Sequence, residues 1–176
     1  MTVNNFDYAF HYVLKNEGGY SDDLDDPGGA TNYGITQKEL ESCHKSLRVP
    51  KDVKNLTIED AYKYYKYKWD SNHYDDINSQ KIAIKLFDLC VNLGTYESTI
   101  ILQRAINACA YGFNLKEDGI LGQKTIYAVN SLHIDNKDEL LLNNIRKQAV
   151  HVYELIIKNK PQLKKFEKGW LKRANE

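Results

Sequence analysis

Residues 80–93 read Gln-Lys-Ile-Ala-Ile-Lys-Leu-Phe-Asp-Leu-Cys-Val-Asn-Leu. A helix drawn through them is apolar on almost every face, and such a helix belongs in the middle of a domain. Gly94 closes it. Towards the N-terminus, Thr57 followed by Asp60 and Thr36 followed by Glu39 are capping boxes. They predict helices through about Trp69 and about Leu47, the former with an apolar stripe of Ile58, Ala61, Tyr62, Tyr65 and Trp69. Further upstream, Phe6, Phe10, Val13, Leu14 and Glu17 fall at i, i+4, i+7, i+8 and i+11, one helical face that Gly18 and Gly19 end. In the other direction, Thr95 is placed to cap a helix reaching about Tyr111, with Ile101, Leu102, Ala105, Ile106 and Cys109 turned inward. Asp118-Gly119 and Gly122 form a turn before a short helix from Lys124 to about Leu132. A long helix follows from about Lys137 to Lys158, and a short one after Pro161. No segment alternates β-branched residues over a strand's length. The fold class is all-α, with at most a small hairpin within residues 20–35.

A chain of 176 residues holds one domain, or a catalytic region with a small appendage. Gly94 is the best boundary, giving regions 1–94 and 95–176; no flexible linker separates them, so they are expected to share one core. The cysteines, Cys43, Cys90 and Cys109, are odd in number and scattered, which suits free core thiols better than a disulfide or zinc site. All five histidines stand apart, so neither metal nor cofactor is expected. The N-terminus lacks a basic segment followed by an apolar one, so the expectation is synthesis in the cytoplasm without a signal peptide. No apolar run is long enough for stable membrane insertion. Net charge is zero but uneven: residues 1–60 carry six Lys/Arg against eleven Asp/Glu, and residues 140–176 nine against three. The basic end is a solvated helix face or a surface for an acidic polymer. No recognition motif accompanies it, so nucleic acid is not an expected partner.

The chemistry concentrates in residues 17–36, Glu-Gly-Gly-Tyr-Ser-Asp-Asp-Leu-Asp-Asp-Pro-Gly-Gly-Ala-Thr-Asn-Tyr-Gly-Ile-Thr. Glu17 continues an apolar stripe and sits in the last turn of its helix. Desolvation and the negative end of the helix dipole both favour the protonated acid there. The alternative is a carboxylate that simply turns out to solvent. The following loop carries Asp22, Asp23, Asp25 and Asp26, polar and open to water, where an aspartate stays ionised or caps backbone amides. A protonated acid facing an ionised one is what glycosidic cleavage uses. The loop misses EF-hand spacing, because Leu24 and Pro27 take ligand positions and the closing glutamate is absent. Tyr20 and Tyr33 flank the loop and suit sugar faces. Asp88 and Asn92, at i and i+4, share a face of the central helix and could bind N-acetyl or hydroxyl groups, or hydrogen-bond structurally.

The spacing of Glu17 and Asp26 is that of the Glu-x8-Asp-x5-Thr pattern of phage-type lysozymes. The third position lands on Asn32, with Thr31 one residue short. A second resemblance is closer. Asn-Glu-Gly-Gly-Tyr (16–20), Asp-Asp-Pro-Gly-Gly-Ala-Thr-Asn-Tyr-Gly-Ile-Thr (25–36), Tyr-Lys-Trp-Asp (67–70), Phe-Asp-Leu-Cys-Val-Asn-Leu-Gly (87–94), Leu-Gln-Arg-Ala (102–105), Asp-Gly-Ile-Leu-Gly-Gln-Lys-Thr (118–125) and Gly-Trp-Leu-Lys-Arg (169–173) together resemble glycoside hydrolase family 108. Its members are N-acetylmuramidases, many of them phage or prophage endolysins, some formerly labelled secretion activators.

That resemblance implies a lysozyme-like helical fold, a peptidoglycan-binding module after about Gly94, and Glu17 as catalytic acid. It implies bacterial peptidoglycan as partner, action as a monomer, and release to the wall through a holin pore. Asp26, then Asp25, with Thr31, are the expected catalytic partners; Tyr20, Asn32, Tyr33, Asp88 and Asn92 are the expected substrate contacts. Two other readings stay open: a lytic transglycosylase using Glu17, and a non-catalytic wall-binding or secretion-assisting protein.

Overall fold

The computed structural model describes residues 5–22 and 29–176. The chain forms two compact units, one ending at Asp75 and one running from Asp76 to Glu176.

The first unit contains α1 (Asn5–Asn16), a hairpin of β1 (Thr31–Asn32) and β2 (Ile35–Thr36), α2 (Gln37–Leu47), a 3-10 turn at Val53–Asn55 and α3 (Ile58–Ser71). The hairpin ends one residue beyond the 20–35 stretch. Both capping boxes form: Thr36 and Thr57 accept from the amides of Glu39 and Asp60, whose carboxylates accept in return from the cap amides. Each such cap contributes ~1 kcal/mol to its helix. α1 buries Phe6, Ala9, Phe10 and Val13. Its rings dock edge-on to α3, with Phe6 and Phe10 each 5.0 Å from the Tyr62 ring centroid and Phe6 5.8 Å from Trp69.

The inward stripe of α3 is rotated from the sequence expectation. Ala61, Tyr64, Tyr65 and Trp69 are buried, whereas Ile58 is 46% exposed and Tyr62 36%. Tyr62 lies along the seam, its ring covering Phe6 and Phe10 while its hydroxyl donates to Asp7 at 2.9 Å. Trp69 Nε1 donates to Asp75 at 2.8 Å, so the indole is buried with its polar atom satisfied.

The second unit contains α4 (Gln80–Leu93), α5 (Thr95–Asn107), α6 (Gln123–Ile134), α7 (Asp138–Asn159), a 3-10 turn at Pro161–Phe166 and α8 (Glu167–Asn175). α4 is the buried helix its composition predicts: Ile82, Ala83, Leu86, Phe87, Leu89 and Cys90 have no exposed surface. It packs on α5 and α7, and α7 packs on α5 and α8. Gly94 alone joins α4 to α5, so Thr95 is the first residue of α5 rather than its cap. That helix also stops at Asn107, short of Tyr111. The Asn107 side chain turns to Leu115, accepting from its amide at 2.8 Å and donating to its carbonyl at 3.0 Å. Left-handed Ala110 and Gly112 then reverse the chain. Cys43, Cys90 and Cys109 are buried free thiols. Among the described residues no helix is long and apolar enough to cross a membrane.

Charged groups inside the second unit tie α8 to α4. Arg173 reaches the fully buried Asp88 through Nε at 2.9 Å and Nη2 at 2.8 Å. Lys85, 4% exposed, donates to the Arg173 carbonyl at 2.6 Å. Burial lowers the Lys85 ammonium to about 8; Asp88 opposes that shift, while Arg146 and Arg173 add to it. Below about pH 8 Lys85 is charged whether folded or unfolded. Between that point and the ordinary lysine value of about 10.4, the unfolded chain holds a proton the folded chain has released. Stability should therefore rise with pH across this window. Urea unfolding of wild type and Lys85→Met at about pH 7 and about pH 10 should show wild type gaining ~2 kcal/mol on the variant. A constant difference between the two proteins would contradict a buried ammonium.

Candidate active site

Glu17 is placed by the end of α1. Its amide donates to the Val13 carbonyl at 3.0 Å, which extends the helical ladder beyond Asn16. Glu17 is half-buried, one residue beyond a helix whose buried side chains are Phe6, Ala9, Phe10 and Val13. Its carboxyl lies directly against Gly34. A Cβ at position 34 would come within 2.6 Å of Glu17 Oε2 and 2.7 Å of Cδ and Cγ. The acid thus occupies the place a side chain would need.

The hairpin creates that place. Thr31 pairs with Thr36 and Asn32 with Ile35, leaving Tyr33-Gly34 as the loop. Both loop residues have positive φ, 52° and 77°, the type I′ arrangement that matches strand twist. Tyrosine is strained there, and the conformation is held from outside. Tyr65 of α3 donates its hydroxyl to the Tyr33 carbonyl at 2.7 Å. Asn32, 6% exposed, donates its side-chain amide to the Val53 carbonyl at 2.9 Å. The Val53 amide in turn donates to Gln37 at 3.0 Å.

The same hairpin closes the base of the acidic loop. Ser21 and Thr31 exchange backbone hydrogen bonds of 2.9 and 2.8 Å, so the chain entering the loop is stapled to the chain leaving it. Asp25 and Asp26 lie outside the described residues. Thr31 sits on the staple itself. Tyr20 is 44% exposed, with its hydroxyl 3.5 Å from Asp22 and the Lys54 ammonium 5.7 Å from its ring centroid. Slight desolvation, then Asp22 and Asp52, push the Tyr20 hydroxyl above its ordinary value.

Glu17, Tyr20, Thr31, Asn32 and Tyr33 are all part of the first unit. Asp88 and Asn92 belong to the second, where Arg173 engages Asp88 and Asn92 accepts from the Tyr153 hydroxyl at 2.7 Å. Sequence reasoning missed the positioning roles of Gly34 and Tyr65. The first was readable as an Asn-Tyr-Gly turn between Thr31 and Ile35; the second was absorbed into the apolar stripe of α3. Among the described residues no three His, Cys, Asp or Glu side chains gather as a metal site.

A half-buried carboxyl seated against a tight turn suits proton transfer to a leaving group. Comparison with known proteins says which kind. Residues 10–94 match the family model described as Glycosyl hydrolase 108. This region is similar to the family 108 glycosyl hydrolases. Residues 97–175 match the model named "Predicted Peptidoglycan domain". The chain is also similar to the structure of Brucella abortus SagA, with 29% identity over 96% of this chain and 88% of that one, and a TM-score of 0.74. No curated protein matches it. The pairing of the two regions is that of a peptidoglycan hydrolase of the glycosidase class. The family matches meet between α4 and α5, whereas the compact units meet at Asp75 and Asp76. α4 is hydrolase by family match and part of the second unit by packing.

Gly34 is the most testable element of this geometry. Gly34→Ala should cost ~1–2 kcal/mol in urea unfolding, since alanine resists left-handed φ, and its Cβ should also push Glu17 aside. Gly34→Asn tolerates the backbone better but still brings a Cβ. Restored stability with peptidoglycan clearing still impaired is the expected result for Gly34→Asn. Full clearing by that variant would show that the seat of Glu17 against the turn is unnecessary.

Proposed function

We propose that the protein is an N-acetylmuramidase that cleaves the β-1,4 bond between N-acetylmuramic acid and N-acetylglucosamine, with Glu17 as general acid. The observation that carries this reading is the seat of Glu17: last residue of a helical ladder, half-buried, with its carboxyl against Gly34, where the turn has no side chain. In this mechanism the Glu17 carboxyl gives its proton to the glycosidic oxygen. The bond from that oxygen to C1 of muramic acid breaks, and the N-acetylglucosamine end leaves with a free 4-hydroxyl. Asp26, or Asp25, stabilises the oxocarbenium ion or orients water from the loop that the Ser21–Thr31 pair closes. Water adds to C1 and its proton restores the acid. The separation of the two carboxyls decides between inversion and retention. Tyr20 and Tyr33 serve the sugar faces, while Asn32 and Thr31 shape the wall between them.

No step in this scheme needs a cofactor. The protein works as a monomeric, bacteriolytic endolysin, made in the cytoplasm and released to the wall through a holin pore, with residues 95–176 holding peptidoglycan. Support for the substrate comes from the two family matches.

Turbidity clearing of purified peptidoglycan tests the assignment. Glu17→Gln should lose ~10²–10⁴-fold in rate, the usual contribution of a positioned acid, while circular dichroism and thermal unfolding stay near wild type. Asp26→Asn should lose less but measurably; a near-normal rate would move the role to Asp25. Clearing unchanged by Glu17→Gln would overturn the catalytic assignment.

A further inference from the structure

We propose that the second unit carries a binding site for the peptide portion of peptidoglycan, in a groove between the 113–122 loop and the start of α6. The choice of ligand rests on the peptidoglycan reading above; the groove itself is independent of it. Two adjoining hollows, of about 340 and 320 Å³, share Leu115, Gln123 and Lys124. Together they fall in the range of small-ligand sites and suit a few residues of extended peptide.

The groove is built rather than incidental. Two side chains of α5 hold its loop in place. Gln103, only 1% exposed, donates to Asp118 Oδ1 at 2.9 Å and to the Ile120 carbonyl at 3.1 Å, and accepts from the Gly119 amide at 3.0 Å. Asn107 grips both backbone groups of Leu115. Gly119 has a φ of +70°, and a Cβ there would come within 2.3 Å of the Tyr96 ring, so the ring and the turn are in close contact. A loop pinned at 115, 118, 119 and 120 presents its side chains without reordering, which lowers the entropic cost of binding.

The lining identifies the ligand. Lys116 and Lys124 line the larger hollow, and among the described residues neither forms a salt bridge, though Lys116 lies near enough to Asp118 to act on it electrostatically. Asp118 lines the same hollow and is held ionised, its acidity strengthened first by Gln103, then by the Ile120 amide, and also by Lys116. Asn114 and Gln123 add amide groups. The second hollow is apolar, walled by Phe113 and Leu115 with the ring of Tyr127, which is 69% exposed. A neutral glycan has no use for charges of both signs. The wall's stem peptide carries free carboxylates, the amine of its diamino acid, backbone amides and alanine methyl groups. The lysines suit the carboxylates, Asp118 the amine, Asn114 and Gln123 the amides, and the apolar hollow the methyls.

Calorimetric titration of the full chain with the soluble stem tetrapeptide (alanine, glutamate, diaminopimelate, alanine) tests the site. Peptide-free glycan strands, which carry the free lactyl carboxylate of each muramic acid but no amine, serve as the comparison. Wild type should bind the tetrapeptide, and Lys124→Glu and Lys116→Glu should each weaken it ~10-fold, a loss of ~1.4 kcal/mol. The proposal is overturned if wild type does not bind the tetrapeptide, if both variants bind it as wild type does, or if peptide-free strands bind instead in a Lys124-dependent way. Failure to clear peptidoglycan together with Lys124-dependent peptide binding would sink the hydrolase reading and leave this one standing. Clearing without peptide binding would do the reverse.

Discussion

The contact between the Glu17 carboxyl and the bare Cα of Gly34 is the constraint on which the site depends. A carboxyl at a helix end ordinarily turns to water. Here the stripe of α1 fixes where Glu17 starts, and the left-handed turn fixes where it can end. Position 34 must lack a side chain for steric reasons and must tolerate positive φ for backbone reasons. Glycine meets both demands at once.

α3 makes this contact reproducible, because it anchors both partners. Tyr62 and Trp69 seat the rings of α1, and Tyr65 holds the Tyr33 carbonyl of the hairpin. One rigid helix therefore sets the distance between the acid and its turn, so neither has to be positioned by a loop alone. Supporting a functional group with buried, hydrogen-bonded neighbours is what keeps its geometry productive. The Ser21–Thr31 pair then carries the same order to both ends of the acidic loop. In the second unit the analogous device is polar: side-chain amides of α5 pin a loop, and Asp88 with Lys85 pins α8.

Much of this was legible in the sequence, and for physical reasons. The capping boxes at Thr36 and Thr57 are local patterns with local causes, and the helices began where those patterns put them. The all-round apolar run at 80–93 could only be a buried helix. Glu17 was legible because its stripe and its glycines are both short-range signals. What escaped depended on contacts distant in sequence. Gly34 meets Glu17 across a loop, and Tyr65 meets Tyr33 from another helix. The end of α5 was misjudged because an asparagine, rather than a glycine, turns to take the backbone of Leu115. The pairing of Asp88 with Arg173 spans 85 residues and left no pattern to read.

The reducing ends of digested peptidoglycan test the central claim most directly, because they record what the placed acid does to the bond. Mass spectrometry of products released by wild type should show muramic acid with a free reducing C1, carrying oxygen from labelled water. Glu17→Gln should release none above background. Products ending in 1,6-anhydromuramic acid, or in reducing N-acetylglucosamine, would contradict the account.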